Sequence, residues 1–407
     1  MNTTTATATR TEIATDLMDP TAGDVPETPE TPENILRAIG ALHDRIHERA
    51  PEIESARRLP GDLVGALAAA GAFRILVPTS YGGAGADVRA ALAAHETLAR
   101  ADASVGWTTM IGSIGWLDLV GLAPATLGEV YRDGPDVPIA GVFNPSGTAE
   151  AVADGLRVGG RWAFASGCTH APWLYVNCLE QTGGDPRFVT ALLRPDEVQI
   201  EDTWHVLGLR GSGSHHLRVD DLVVPSERTF ATFESEPAVR APIVGVPMPS
   251  MVALGVAAVA SGTARGALDE MGAIAGSRTP LLAGSALADD PLHQHDLAAA
   301  DTGLRGARAR LFEVADEVWD TAVAGDPLDL RQRAFVRATA VAVVRTAVDT
   351  VRTAITAGGG AAIYLDNPLQ RRLRDIHTIA QHFIVRPDTL VHAGAVLAGR
   401  EPDVAVF

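Results

Sequence analysis

The stretch WAFASGCTHAPW, residues 162–173, concentrates side chains that could do chemistry. Ser166 could act as a nucleophile and His170 as a base, and aromatic residues stand on either side of them. Ser166 lies in ASGC rather than in GxSxG, so the strained turn that exposes a hydrolase serine is not indicated. A serine between alanine and glycine at a strand end is commonly a turn residue. Two interpretations therefore stay open: a packed strand and turn, or the wall of a cofactor site.

The remaining histidines do not form a metal-binding pattern. His293 and His295 fall on different faces of a helical segment, and the adjacent His215 and His216 alternate across a strand. The sequence contains no HExxH motif, so it predicts no protein-bound catalytic metal. His382 begins an apolar stretch, where a hydrogen-bonded core histidine is the ordinary interpretation.

Composition excludes several functional classes. The chain has no lysine, which removes lysine Schiff bases and the P-loop lysine. Its net charge is −17 and it has no basic stripe, so we expect no nucleic-acid partner. The glycine-rich segments YGGAGAD and GLRGSGS are not GxGxxG loops between a strand and a helix, so a dinucleotide-binding sheet is not predicted.

Cysteine use and hydropathy favour a cytoplasmic location. Cys168 and Cys178 form no CxxC pair, so a disulfide scaffold is not expected. The N-terminus lacks a basic start followed by an apolar run. Every long apolar stretch is broken by Gly, Ser or Asp within helix length, so we expect no membrane span.

Apolar periodicity divides the chain into a tail and three domains. Residues 1–33 hold seven acidic residues against Arg10 and show no periodicity, which predicts a disordered acidic tail. Residues 34–145 have a helical period and predict an N-terminal α-helical domain. Residues 146–232 shift toward a period of two, with a hairpin turn at Asp154 and Gly155, and predict a small β domain. Residues 233–407 return to long helical segments and predict a four-helix bundle.

This layout, with its motifs, resembles the acyl-CoA dehydrogenase superfamily. LVPTSYGGAGAD resembles the family's Pro-x-x-Tyr-Gly-Gly-x-Gly loop, and ARADASVGW resembles its Ala-Asp-x-Ser segment. GLRGSGSHHLRVDDLVVP, GTARGALDE and RRLRDIH resemble later stretches of the family in the same order. The resemblance implies a mainly α fold in which a β-barrel-like domain separates an N-terminal helical domain from a C-terminal four-helix bundle.

Within that superfamily the chain is more similar to the flavin-dependent monooxygenase branch than to the dehydrogenases. Dehydrogenases usually carry a glutamate base shortly after the Arg-Asp motif, and here no acid lies between Asp375 and Asp388. Abstraction of a proton next to a thioester needs a positioned carboxylate. The oxygenase branch has a Trp-x-Phe-x-Ser-Gly segment, which WAFASG matches, and a histidine about eight residues after Arg-Asp, which His382 matches.

The resemblance implies roles for specific residues. It implies Ser166 and His382 as catalytic residues: Ser166 would hydrogen-bond the flavin near N5 or its peroxide, and His382 would orient the peroxide or act as a base on the substrate. For flavin contact it implies Trp162 along the ring, Ser166, Ser212, Ser214, and Arg278 facing the phosphate in a neighbouring subunit. The expected substrate pocket is lined by Trp107, Trp116, Phe143 and Trp173.

One departure from the branch concerns a second histidine. Several members of the branch have a further histidine in the helix before the β domain, where this chain reads MIGSIGWLD at residues 110–118. Either that histidine is dispensable for this substrate, or Trp116 or Asp118 shapes the pocket differently.

The implied activity is a reduced-flavin- and O₂-dependent monooxygenase that acts on a small or polycyclic aromatic molecule through a flavin C4a-hydroperoxide. The resemblance implies that a separate NAD(P)H:flavin reductase supplies reduced FMN or FAD. The third segment of the bundle is nearly apolar on two faces, which suits burial from several sides and predicts a homotetramer. Three alternatives remain: an acyl-CoA dehydrogenase or oxidase with an unrecognised base, an N- or S-oxygenase of the same branch, and a non-catalytic flavin-binding homologue.

Overall fold

Six α-helices precede the sheet in the computed structural model, which describes residues 31–279 and 285–401. They are α1 Pro32–Gly40, α2 His43–Ala56, α3 Gly61–Ala69, α4 Val88–Ala101, α5 Ala103–Ile114 and α6 Pro124–Val130. Asp102 ends α4 and caps α5, since its carboxylate accepts the backbone N–H groups of Ser104 (2.9 Å) and Val105 (3.1 Å). This joint fixes the direction of α5, which carries Trp107 one turn later. The predicted tail falls outside the described residues apart from residues 31–33.

The central domain is one mixed sheet of seven strands. They are β1 Ile139–Val152, β2 Gly155–Ala165, β3 Trp173–Glu180, β4 Arg187–Leu193, β5 Gln199–Glu201, β6 His215–Pro225 and β7 Thr229–Ala231. The order is β5-β6-β2-β1-β3-β4-β7, and only the β1–β3 pair is parallel in the described residues. The predicted hairpin is confirmed as β1–β2. The described strands form the predicted central β domain, with β5 and β7 at the ends of the strand order.

Strand β1 begins before the boundary predicted between the first two domains. The last preceding helix ends at Val130, whereas β1 begins at Ile139 and passes through residue 145. The segment 139–142 pairs with β3 in a buried position, so it carries apolar residues on both faces and gives no alternating pattern to read. Sequence periodicity consequently places the start of the sheet too late.

The C-terminal part is a bundle of long helices with a short last one. They are α7 Met248–Ser277, α8 Pro291–Ala324, α9 Leu330–Gly358, α10 Pro368–Ile379 and α11 Thr389–Leu397. Helix α7 packs against both α9 and α4, so it joins the bundle to the N-terminal helices. A Cβ at Gly262 would lie 2.1 Å from the Glu96 carbonyl oxygen, so this glycine permits the close approach of α7 to α4.

Helix α7 is long and apolar enough to cross a bilayer by length and composition alone. In the structure 89% of its most apolar window is buried inside the protein. A helix that is apolar all round is typical of the core of a large protein as well as of a membrane. We therefore describe α7 as the core helix of the bundle.

Candidate functional site

Trp107 connects the two residues that the sequence singled out as catalytic. Its indole Nε1 donates to the Ser166 hydroxyl at 2.9 Å. Its ring also meets the His382 ring edge-on, with 5.5 Å between the centroids. Because Trp107 lies on α5, Ser166 follows β2 and His382 follows α10, all three parts of the fold converge at this point. The three side chains define the Ser166–Trp107–His382 site.

A bulge at the end of β2 sets the position of Ser166. The register against β6 shifts between Trp162 and Ala165, and Phe164 has a φ of 72°. The turn continues through Gly167, also left-handed at φ 74°, whose N–H donates to the Ser212 carbonyl at 2.9 Å. A left-handed phenylalanine is a strained conformation of the kind that clusters at functional sites. The bulge thus directs Ser166 toward Trp107 and away from the sheet.

Three serine hydroxyls form a chain behind Ser166. Ser166 Oγ lies 2.7 Å from Ser214 Oγ, which lies 2.7 Å from Ser212 Oγ, and the Ser212 hydroxyl donates to the Leu209 carbonyl at 2.8 Å. A hydroxyl has one proton to donate. Because Ser212 uses its proton on Leu209, Ser214 must donate to Ser212, and Ser166 must then donate to Ser214. We call this directed series the serine chain.

The Leu209 carbonyl that ends the serine chain is held from both sides. It also accepts the Trp204 indole N–H at 2.9 Å, and Leu209 itself has a left-handed φ of 51°. The Leu209 N–H donates to Asp375 Oδ1 of α10 at 2.7 Å. Burial, together with the nearby charge of Asp102, raises the pKa of Asp375 to about 7. Helix α10 therefore anchors the loop that carries Ser212 and Ser214.

His382 is held as a neutral ring. Burial lowers its pKa to about 4, and the charge of Arg337 on α9 acts in the same direction. The Ile384 backbone N–H donates to Nδ1 at 3.4 Å, an arrangement that leaves the ring proton on Nε2. The ring also contacts Phe383, with 4.9 Å between centroids, and Phe383 is exposed. At neutral pH the imidazole therefore offers an N–H donor.

The structure separates Trp162 from the site and places Phe164 beside it. Trp162 is fully buried in the sheet core, and its indole donates to the Asn177 carbonyl at 2.7 Å. Its ring leaves no room for a Cβ at Gly147. Phe164, two residues before Ser166, is 68% exposed, and its ring meets the edges of Trp204 and His216. Phe164 therefore presents an exposed aromatic ring two residues before Ser166, whereas the ring of Trp162 is enclosed.

In the described residues, the hydrogen bonds and ring contacts of the other predicted pocket residues are made away from Ser166 and His382. Trp116 is buried in the helical core, and its indole N–H has no partner in the described part of the chain. Trp173 lies under the Arg194 guanidinium, 5.3 Å from its ring centroid. Phe143 belongs to an aromatic cluster with Phe188 and Phe233. Of the four predicted pocket residues, Trp107 is the one in the site.

A small cavity adjoins Ser166 on the side of the helices. Its volume is about 10 Å³, and Ser166, Gly167, His170 and Thr108 line it together with apolar side chains. The Thr108 hydroxyl is buried and has no partner among the described residues. Burial, together with the charge of Arg58, lowers the pKa of His170 to about 4. The cavity is large enough for about one water molecule.

Two buried polar pairs lie near the region of the missing histidine, and neither pairing was predicted from the sequence. His95 of α4 contacts the Ser113 hydroxyl through Nε2 at 2.9 Å, and burial lowers its pKa to about 3. The Tyr175 hydroxyl donates to Asp118 Oδ2 at 2.6 Å. Asp118 and Tyr175 lie 57 residues apart, so no local pattern could have paired them. Burial raises the pKa of Asp118 to about 7, and the Tyr175 hydrogen bond opposes this.

Replacing Asp118 with asparagine is expected to stabilise the protein more as the pH rises. The folded carboxyl keeps its proton up to about pH 7, whereas the unfolded one loses it near 3.8, so ionisation penalises the folded state progressively between these values. Asparagine does not ionise and still accepts from Tyr175. Relative to wild type, its free energy of unfolding should rise by about 3 kcal/mol between about pH 5 and pH 8.

Guanidinium unfolding of both proteins at the two pH values measures this difference. Asp154→Asn, at the exposed hairpin turn, is the matched control and should follow wild type. Parallel pH profiles for wild type and Asp118→Asn would contradict the raised pKa.

Arg278 lies in a groove that shares no residue with the Ser166–Trp107–His382 site. Its Nη1 donates to the carbonyls of Ala357 (3.2 Å) and Gly358 at the end of α9. The groove has a volume of about 720 Å³. Within residues 31–279 and 285–401, no group of three or more His, Cys, Asp or Glu side chains could hold a metal ion.

Comparison with known proteins gives matches along nearly the whole chain. The acyl-CoA dehydrogenase N-terminal domain matches residues 28–121, and the acyl-CoA dehydrogenase C-terminal domain matches residues 254–387. The chain is 34% identical to the indole-3-acetate monooxygenase of Pseudomonas putida, over 90% of this chain and 94% of that protein. It is 28% identical to the FADH(2)-dependent resorcinol hydroxylase, oxygenase component, of Rhizobium sp., over 90% of this chain and 95% of that protein.

Among solved structures, the HsaA monooxygenase from M. tuberculosis has a similar fold. The TM-score is 0.85 at 28% identity, and the match covers 93% of this chain and 100% of that chain. All three parts of the fold are therefore shared, including the sheet that neither domain model covers.

Proposed function

The chain belongs to the two-component flavin-dependent monooxygenase branch of the acyl-CoA dehydrogenase family, and we propose that it hydroxylates a small or polycyclic aromatic substrate. In this role it is the oxygenase component, and a separate NAD(P)H:flavin reductase supplies its reduced flavin. The observation that carries the proposal is the contact of one indole, Trp107, with both Ser166 and His382. The names of the relatives support an aromatic substrate.

The residues around Ser166 fit a bound flavin. Phe164 offers an exposed ring beside a buried hydroxyl whose oxygen has a lone pair left after Trp107 is counted. The buried Thr108 hydroxyl in the adjoining cavity has no partner in the described chain. Phe164 would pack on the ring system, and Ser166 would bond it near N5, with Ser212 and Ser214 acting behind Ser166. Bound reduced flavin, as FMN or FAD, supplies the reaction with O₂.

The chain's own residues exclude water and orient the substrate. His382, neutral with a proton on Nε2, would donate a hydrogen bond to an oxygen atom in the pocket. With its pKa held at about 4, the imidazole is a weak base at neutral pH, which favours orientation over deprotonation. Trp107 and Phe383 supply apolar walls that suit an aromatic ring.

The dehydrogenase alternative lacks a suitable base. Residues 376–387 contain no acid, and the preceding carboxylate, Asp375, is buried and accepts the Leu209 N–H. A carboxylate engaged in anchoring a loop is not free to remove a substrate proton.

We further propose a homotetramer in which Arg278 faces the flavin phosphate of a neighbouring subunit. The groove beside it is open, and Ile363, Tyr364 and Leu365 expose apolar side chains in the segment that follows α9. Exposed contiguous apolar residues commonly mark protein contacts. Cys168 and Cys178 are buried free thiols, which supports the proposed cytoplasmic location.

Replacing Phe164 with alanine is expected to weaken flavin binding about three- to tenfold, because one face of the ring system loses its aromatic contact. Trp162→Phe should instead lower the unfolding temperature and leave flavin affinity within about twofold, because Trp162 lies in the sheet core. Anaerobic titration with reduced FMN and thermal unfolding measure the two quantities. The reverse pattern would assign the flavin contact to Trp162.

The proposed activity is tested by supplying reduced flavin and ¹⁸O₂ to the purified chain. Reduced FMN or FAD, generated anaerobically, is mixed with indole-3-acetate, resorcinol or another phenol, followed by ¹⁸O₂. Mass spectrometry of a product carrying one ¹⁸O atom would support the proposal. Bleaching of bound FAD by an acyl-CoA, with no labelled product from any aromatic compound, would overturn it in favour of dehydrogenation.

A further inference from the structure

The two ends of the serine chain have fixed hydrogen-bonding roles. The Trp107 indole N–H can only donate, and the Leu209 carbonyl can only accept. Ser166, Ser214 and Ser212 lie between them with one proton each, so four hydrogen bonds are made in a single direction. All three serines are at most 6% exposed, so bulk solvent does not compete for their hydrogen bonds.

This direction determines what Ser166 can do toward a ligand. Its oxygen accepts from Trp107, and its one proton goes to Ser214. The hydroxyl has one unused lone pair and no unused proton. Ser166 can therefore accept one further hydrogen bond and cannot donate one without breaking the serine chain.

The two redox states of a flavin differ at the atom that Ser166 would meet. N5 of oxidised flavin is an acceptor without a hydrogen, whereas N5 of reduced flavin carries a hydrogen and donates it. An acceptor-only hydroxyl pairs with the reduced state and places two lone pairs against each other in the oxidised state. Leaving a buried acceptor without a donor costs more free energy than a hydrogen bond at the same place contributes.

We propose that Ser214 and Ser212 hold Ser166 as an obligatory acceptor and thereby make the site select reduced over oxidised flavin. This inference rests on the proposed function, since it assumes that flavin N5 lies at Ser166. Ser214 and Ser212 are positioning residues here, because they act through Ser166. For a two-component oxygenase, such selection releases spent flavin and keeps the site available for the reduced form.

Affinities for both redox states test the inference without any turnover. Dissociation constants for oxidised and anaerobically reduced FMN are measured by titration for wild type, Ser214→Ala and Ser212→Ala. In both variants the hydroxyl proton of Ser166 is no longer required for the hydrogen bond to Ser214, so Ser166 can donate it to N5 of oxidised flavin. We expect oxidised FMN to bind about three- to tenfold more tightly, and reduced FMN to change by less than about twofold.

Two further variants serve as controls. Ser214→Thr keeps the hydroxyl and should restore the wild-type preference. Ser261→Ala removes an equally buried hydroxyl that contacts Glu96 rather than the serine chain, and its affinities should match wild type. If Ser214→Ala does not fold, Ser212→Ala measures the same effect.

The outcomes separate the inference from the proposed function. A reduced-to-oxidised preference that persists unchanged in Ser214→Ala and Ser212→Ala would overturn the inference and leave the flavin site in place. A wild-type chain that binds neither FMN nor FAD in either redox state would overturn the proposed function and the inference with it.

Discussion

Replacing His382 with alanine is expected to lower the rate of substrate hydroxylation about 10²-fold while changing the affinity for reduced flavin by less than about threefold. Loss of one preorganised donor in a water-excluded site typically has an effect of this size on the chemical step. The neutral ring of His382 accepts the Ile384 N–H at Nδ1, so it carries its proton on Nε2, and it lies edge-on to Trp107. Product formation under saturating reduced flavin measures the change.

Two further variants test whether the loss of rate comes from the missing hydrogen-bond donor. His382→Gln keeps an N–H donor and should recover part of the lost rate, because the donor and not a base is proposed to act. His377→Ala, on the exposed face of α10, is the matched control and should retain the wild-type rate. Equal losses in His377→Ala and His382→Ala would point to disruption of the helix.

The pH dependence of the wild-type rate distinguishes a donor from a base. Because the folded pKa of His382 is about 4, below the unfolded value of 6.5, its neutral form persists in the folded state well below pH 6.5. Stability contributed by the neutral ring is present above pH 6.5 and is lost as the pH falls through 4. The contribution of His382 to the rate should therefore be flat from about pH 5.5 upward. An acid limb near pH 6.5 that disappears in His382→Gln would indicate a titrating base.

Replacing Ser166 with alanine is expected to raise the hydrogen peroxide released per oxidised flavin and to lower the yield of hydroxylated product about tenfold. The variant removes the hydrogen-bond acceptor proposed to hold the flavin near N5 and leaves the Trp107 N–H without its partner. The ratio of product to peroxide, measured at fixed reduced flavin, reports this loss of coupling.

Ser166→Thr retains the hydroxyl and should recover much of the product yield. Thermal unfolding of both variants separates loss of coupling from loss of structure. An unchanged ratio of product to peroxide in a folded Ser166→Ala protein would remove Ser166 from the proposed site.

Periodicity predicts the three parts of the fold because each part has one dominant repeat. The long helices α7 to α9 and the hairpin β1–β2 follow from spacings of 3.6 and two residues. The start of β1 cannot be predicted in this way, because a strand that is buried on both faces does not alternate between apolar and polar residues. The family motifs add two further predictions: the order of the domains and membership of the flavin-dependent monooxygenase branch.

The contrast between Trp162 and Phe164 shows where local patterns fail. A regular strand would place both rings on one face, because their separation is two residues. The bulge at Phe164 breaks that rule, leaving Trp162 in the core and Phe164 on the surface. A bulge depends on the partner strand and on tertiary packing, so the residues WAFASG alone do not reveal it.

The contacts that build the site join distant parts of the chain. Trp107 and Ser166 are 59 residues apart, and Leu209 and Asp375 are 166 apart. Before the structure is known, only the family motifs predict that Ser166 and His382 belong to the same site. The direction of the serine chain needs the Leu209 carbonyl, and no motif contains that information.

Asp375 and His382 belong to one short segment, and each fixes a different half of the site. Asp375 clamps the loop that ends the serine chain, and His382 meets Trp107. The two residues are seven positions apart, and the first part of this interval is the last turn of α10. One residue added within α10 would turn one anchor by about 100° relative to the other. A change in the length of this segment should therefore disturb the site more than a substitution in the apolar walls of the pocket does.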